Sequence, residues 1–366
     1  MKYSLHFSLK GIIGVLAFMV ALSVPCGKQA GGLIGVTAAE AKIAGTNDAA
    51  EAAVELDRNH AKVKETMAVQ NRHTPVLMTH PDVVGTSTGL DDAGQPAIMV
   101  FTKKALADGM LPRDLEGKRV VMKVTGEIIA MAGNPGKKSR IDPPKRFPRP
   151  VPIGVSTGNE EECSSGTIGA RVKDAADNVY ALSNNHVYAL ENNASPASRV
   201  LQPGRYDTGC TLTANDVIGT LFRSVPIDYV GNNTVDAAIA LTTVAEVGNA
   251  TPANGYGLPK SATATAGLTT AVQKYGRTTS LTKGTIVGIN GTIKVSYTGG
   301  VATFVNQIAV NGRSFIKAGD SGSLLVTDPG RQPVGLLFAG NSSGSYAFAN
   351  PIEPVLNGFG VTIDGE

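Results

Sequence analysis

A mainly β fold preceded by a small α/β unit is what this sequence of 366 residues predicts. Two observations carry that expectation. From residue 153 onward, short runs rich in Val, Thr, Ile and Ala alternate with turns rich in Gly, Asn, Asp and Ser, which suits a sandwich or a pair of barrels. Ahead of them lies a stretch dense in Pro, Lys and Arg, and ahead of that a helical pattern followed by a hairpin pattern. Gly is abundant at 43 residues and Trp is absent, a bias toward tight turns and short strands.

The chain opens as an export signal, residues 1–38. Lys2 and Lys10 precede an apolar run, 11–25, that is short for a transmembrane helix. Val36-Thr37-Ala38 offers a small-residue cleavage site; an uncleaved anchor is the alternative. Pro25 directly before Cys26 fits a lipid-attachment motif poorly. The α/β unit spans 45–131. Its helix is expected over 47–70, with Val54, Val63 and Met67 on one face and Asn47 or Asp48 as N-cap. A hairpin follows, 83–86 and 97–101 around the turn 91–94, then a strand at 119–124 and an end near Met131. His60, His73 and His80 lack companions at ligand spacing and read as surface histidines.

Residues 132–152 read as an exposed linker. Pro135, Pro143, Pro144, Pro148, Pro150 and Pro152 forbid a helix or central strand, and the interleaved Lys and Arg invite cleavage, although a linker that is never cut fits equally. The β region is 153–366. Its expected strands are 167–172 and 179–182 around the turn 174–178, then 217–222, 237–241, 285–289, 292–297 and 334–338.

Chemistry concentrates in Ala318-Gly319-Asp320-Ser321-Gly322-Ser323-Leu324. A serine hydroxyl is a poor nucleophile until a base, usually a carboxylate-oriented His, removes its proton. The β region contains a single histidine, His186, placed where the run 179–185 turns from apolar to polar. Asp236 heads a run of small apolar residues, where a buried carboxylate needs a partner such as an imidazole N–H. Asp228, before Tyr229-Val230, is the competing acid. Gly319 and Gly322 let successive backbone N–H groups converge, so those of Gly319 and Ser321 are candidate oxyanion donors.

His, Asp and Ser in this order resemble the chymotrypsin-fold serine peptidases. The stretch Gly276-Arg277-Thr278-Thr279, with Gly284-Thr285-Ile286-Val287 after it, is similar to streptogrisin-like enzymes. The run Ala181-Leu182-Ser183-Asn184-Asn185-His186-Val187 resembles bacterial relatives of the plant narrow-leaf trypsin-like family. The resemblance covers 153–366. It implies a chymotrypsin-like double six-stranded β-barrel with the triad between barrels: His186 as base and acid, Asp236 as its orienting group, Ser321 as nucleophile. Asn184-Asn185-His186-Val187 departs from the usual Ala-Ala-His-Cys, and Ser323 stands where a second Gly is usual. Asp320 would pair with a new N-terminal amine in activated trypsin-like enzymes. Here a Lys or Arg elsewhere, or a cut in the basic stretch, could supply the cation. The resemblance places 315–318 and 338–340 around the primary pocket, with no acid six residues before Ser321, so an apolar or small pocket is expected.

The expected activity is therefore exported serine endopeptidase, acting on proteins or peptides through an acyl-enzyme, with a catalytically silent protease-fold binding module as the alternative. The product would be secreted or periplasmic and bacterial. In an oxidising compartment Cys163 and Cys210 are expected to pair, two buried thiols being the other reading. A net charge of +3 with 17% charged residues gives no basis for nucleic-acid binding, and membrane contact is expected only through the signal segment. No metal or cofactor motif occurs. The 45–131 unit is expected to assist folding, to block the cleft, or to stay as a permanent accessory.

Overall fold

The computed structural model describes residues 56–131 and 142–366; the export signal and the candidate N-caps Asn47 and Asp48 lie outside the described residues. The described strands form two curled sheets of eight and twelve strands. In the first, the expected strand 167–172 is interrupted at Ile168-Gly169, giving Gly166–Thr167 and Ala170–Asp174. It leads through a turn to Val179–Ser183: the Asp174 carboxylate accepts from the backbone N–H of Ala176 and Asn178. Ala238–Thr242 then runs antiparallel to Val179–Ser183, setting Ala238 opposite Ser183. The C-terminal strand Val361–Ile363 closes the sheet against Ala170–Asp174.

The second sheet contains six strands from the chain's last hundred residues: Ala271–Gly276, Ser280–Tyr297, Gly300–Asn311, Leu324–Thr327, Pro333–Asn341 and Tyr346–Pro351. The expected pair 285–289 and 292–297 is one long strand, bent where Asn290 takes φ 56° and the register with Gly300–Asn311 shifts. Pro333–Asn341 is buried along its whole length, which its apolar run Val-Gly-Leu-Leu-Phe-Ala permits.

The strands of the N-terminal unit continue this second sheet. Val83–Leu90 pairs antiparallel with Ser280–Tyr297 on one side and with Pro96–Thr102 on the other, and Lys118–Val124 follows in parallel. The short strand Ile128–Ala130 leaves them and pairs antiparallel with Pro333–Asn341. Among the described residues the helix runs Ala61–Leu77, beginning after His60 and passing the expected end at 70; residues 47–55, with Val54 of the expected face, lie outside the described residues. Its start is set by Asp57, whose carboxylate accepts the N–H groups of Asn59 and His60. It continues past Gln70 because Thr74 and Leu77 are buried and both Arg72 and His73 pair with Glu116.

The second half of the expected linker is also different from an exposed spacer. Arg146 pairs with the buried carboxylate of Asp216, Arg149 pairs with Glu246 and donates to the carbonyls of Asn215 and Val217, and Val151 is buried in a bridge to Val247. Proline removed backbone donors, as expected, and guanidinium groups supplied others. Residues 132–141 lie outside the described residues.

Gln70 fastens the helix to the sheet. Its buried amide donates to Thr86 Oγ1 and the Asn290 carbonyl, and accepts from Thr88 Oγ1 and Asn290 Nδ2. Gln70→Leu strands those partners in an apolar setting, so it is expected to lower stability by about 2 kcal/mol, read from urea unfolding of the full-length chain. A change below about 0.5 kcal/mol, the range of ordinary surface substitutions, would show that the contact does not fasten the unit.

Candidate active site

His186 sits in a one-turn helix, Asn185–Tyr188, directly after Val179–Ser183. Its neighbours explain the Asn-Asn pair. Asn184 donates to the Asp236 carbonyl and Asn185 to the Val225 carbonyl, tying the His turn to the start of Ala238–Thr242. His186 Nδ1 lies 2.5 Å from Asp236 Oδ2, and the His186 backbone N–H donates to Asp236 Oδ1 at 3.2 Å. The Asp236 N–H in turn donates to Asn350 Oδ1. Both side chains are buried. The competing acid, Asp228, is spent on a local turn, accepting from the Val230 N–H.

Tyr297, at the end of the long strand, was not singled out from the sequence. Its hydroxyl donates to Asp236 Oδ2 at 2.8 Å, and its ring meets the imidazole edge-on at 5.8 Å. Burial pushes the phenol well above its ordinary range and the Asp236 charge pushes it further, so it remains a donor. Period-two alternation from Ile293 and Val295 puts Tyr297 on the inward face, which is the signal that could have found it.

Ser321 occupies the turn between Gly300–Asn311 and Leu324–Thr327. The turn is pinned from the first sheet: Thr167 N–H donates to the Ser321 carbonyl and Thr167 Oγ1 to the Gly319 carbonyl. A Cβ on Gly166 would stand 2.5 Å from Val187 and 3.2 Å from the Ser321 carbonyl oxygen, so the His and Ser turns pack on the same dipeptide. Gly319 has φ 96° and a Cβ there would lie 2.5 Å from Thr278 Oγ1, which requires glycine. The Ser321 hydroxyl donates to the Phe338 carbonyl at 3.0 Å, while His186 Nε2 is buried with no hydrogen-bond partner among the described residues. Of the two expected oxyanion donors, the Gly319 N–H is engaged by a peptide carbonyl, that of Met131, and the Ser321 N–H makes no such bond among the described residues.

Asp320 has its cation inside the same sheet. Lys274 Nζ lies 3.3 Å away, both side chains fully buried, and Asp320 also accepts from the N–H groups of Thr278, Thr279 and Lys317 and from Thr279 Oγ1. Burial pushes the Lys274 ammonium below its ordinary range, with Asp320 pulling against it. Arg277, from the Gly-Arg-Thr-Thr stretch, is used elsewhere: it pairs with Asp207 beside the Cys163–Cys210 disulfide loop of the first sheet. No activating cut is needed to neutralise Asp320.

No family model and no curated protein matches this chain. Solved structures do match it. A glutamic-acid-specific serine protease with a histidine triad in substrate binding is 21% identical, over 58% of this chain and 100% of that one, at a TM-score of 0.43. Thermobifida fusca protease A is 22% identical, over 59% and 100%, at 0.43. Cellulomonas bogoriensis chymotrypsin is 22% identical, over 59% and 99%, at 0.42. What the structure itself shows is a mainly β fold in two curled sheets.

Removing Lys274 would leave a buried carboxylate without its cation. Lys274→Met is therefore expected to destabilise the chain by about 3–5 kcal/mol, with Lys274→Met/Asp320→Asn regaining part of the loss, measured by denaturant unfolding. Equal stability of Lys274→Met and wild type would show that the four hydrogen-bond donors alone hold Asp320.

Proposed function

We propose that this chain is an exported serine endopeptidase in which Ser321 attacks the carbonyl carbon of a peptide bond. The observation that carries the reading is the buried His186–Asp236 pair. It occupies Nδ1 with a carboxylate and leaves Nε2 unpartnered beside a glycine-flanked serine turn. That is the arrangement a general base needs. In the reaction His186 Nε2 accepts the Ser321 proton and passes it to the departing amine. Asp236 fixes the tautomer and stabilises the imidazolium, while Tyr297 shares the carboxylate and fixes its orientation. The Gly319 and Ser321 N–H groups bind the developing oxyanion, worth about 3 kcal/mol per donor. The Ser321–Phe338 hydrogen bond must open for the hydroxyl to reach His186. Export is supported by the Cys163–Cys210 disulfide, which belongs to an oxidising compartment, and by the signal-like start of the sequence.

Ser321→Ala is expected to reduce peptide hydrolysis about a million-fold and to abolish labelling by a fluorophosphonate. Equal labelling of both proteins, or hydrolysis by both at the same rate, would count against Ser321 as the nucleophile. Tyr297→Phe is expected to lower kcat about ten-fold with KM unchanged, because it loosens Asp236 without touching substrate. A change in KM alone would place Tyr297 in binding.

A further inference from the structure

The strand Ile128–Ala130 occupies the site in the manner of a substrate. It runs antiparallel to Pro333–Asn341, with Ile128 opposite Asn341, Ile129 opposite Gly340 and Ala130 opposite Ala339. The next residue, Met131, donates its N–H to the Phe338 carbonyl at 3.0 Å, the carbonyl that also receives the Ser321 hydroxyl. Its own carbonyl oxygen accepts the Gly319 N–H at 2.5 Å. Its side chain is buried, at 2% exposure, among apolar residues that include Phe315 and Ile316. A Cβ on Gly340 would stand 2.6 Å from Ile316 and 3.1 Å from Met131 Cε, so the absent side chain at 340 leaves the room that the thioether fills. An extended backbone, a carbonyl on an oxyanion donor and a side chain in the pocket beside the serine are the three contacts a peptidase makes with the acyl side of its substrate.

We infer that residues 128–131 are this enzyme's own first substrate and its inhibitor, and that the pocket selects peptides with an unbranched apolar residue such as Met on the acyl side of the cut. The inference rests on the peptidase reading. In the sequence the bond that follows the Met131 carbonyl is Met131–Ala132, and that is the bond to be cut. Ser321 Oγ adds to the Met131 carbonyl carbon as His186 Nε2 takes the hydroxyl proton. The proton moves to the Ala132 nitrogen, the C–N bond breaks, and Met131 is left as an ester on Ser321. Water then adds to the ester, giving its proton to His186, and the Met131 carboxylate departs as the Ser321 hydroxyl re-forms. One water is consumed across one peptide bond. Until the strand leaves, no other peptide can enter, so the uncut chain is silent toward external substrates. Lys274 already neutralises Asp320, so the cut opens the cleft and is not required to complete the serine turn.

The test is intact-mass analysis of purified full-length chains over time, with Ile-Ile-Ala-Xaa anilides as external substrates. Wild type and Met131→Leu are expected to be cut between residues 131 and 132, Ser321→Ala to stay whole, and Met131→Asp to be cut at least about 100-fold more slowly. On cut wild-type enzyme, anilides with Xaa Met or Leu should exceed Asp and Arg by about 100-fold in kcat/KM, a comparison that does not depend on any variant folding. Cutting at another bond in 132–152, an unchanged rate for Met131→Asp, or no preference for Met among active anilides overturns the inference and leaves the peptidase reading intact. Cutting of Ser321→Ala at the wild-type rate, or no hydrolysis of any anilide by the wild type, overturns both.

Discussion

The buried pair between Asp320 and Lys274 is the constraint on which the site depends. Asp320 lies one residue before Ser321, and its carboxylate collects an ammonium from Ala271–Gly276, three hydrogen bonds from the turn after that strand and one from Lys317 in its own loop. A charge placed in the interior is costly unless paired, so the turn has little freedom to move without exposing one. With Asp320 fixed, Gly319 is held at a positive φ that directs its N–H outward to a carbonyl, and Ser321 follows. Thr167 then locks the same turn to the first sheet, which carries His186 and Asp236. The geometry of the candidate site, shared between two sheets, thus reduces to a few buried polar contacts across their junction.

Those contacts also bear on access to the candidate site. Ser321, His186 and Asp236 are each buried, and beside Ser321 the residue that follows the short strand, Met131, hydrogen-bonds to Gly319 and Phe338. Ile128–Ala130 has pairing partners on both sides, Pro333–Asn341 and Ser296 of the long strand. It is anchored upstream by the hairpin that extends the second sheet. A segment tethered in this way competes with free peptides at a high effective concentration. On the proposed reading, chemistry and its suppression come from the same recognition surface.

Much of this was legible in the sequence. The Gly-Asp-Ser-Gly turn, the one histidine of the β region and the acid at the head of a small-residue strand are local signals, and the structure brings His186 and Asp236 together while Asp228 serves a turn. Boundaries were less legible where tertiary contacts override propensity. The helix runs on through Thr74 and Pro75 because Leu77 is buried, and Asn290 bends one strand where two were expected. Lys274 escaped notice because a lysine in a strand ordinarily faces water; the hint was its place inside Val272-Gln273-Lys274-Tyr275, buried from Val272 onward. The short strand beside the serine turn escaped for a related reason. Ile128-Ile129-Ala130-Met131 is an apolar tetrad, and nothing local says that its partner lies some two hundred residues further along the chain.

The central claim is that a competent site is held shut by its own chain. Intact-mass analysis of wild-type protein during fluorophosphonate treatment tests it most directly, because probe and cut are read on the same molecule. The account predicts probe mass only on the shortened species beginning at Ala132, with the uncut chain unlabelled at every time point. Probe on the uncut chain at the rate of the shortened one would contradict it.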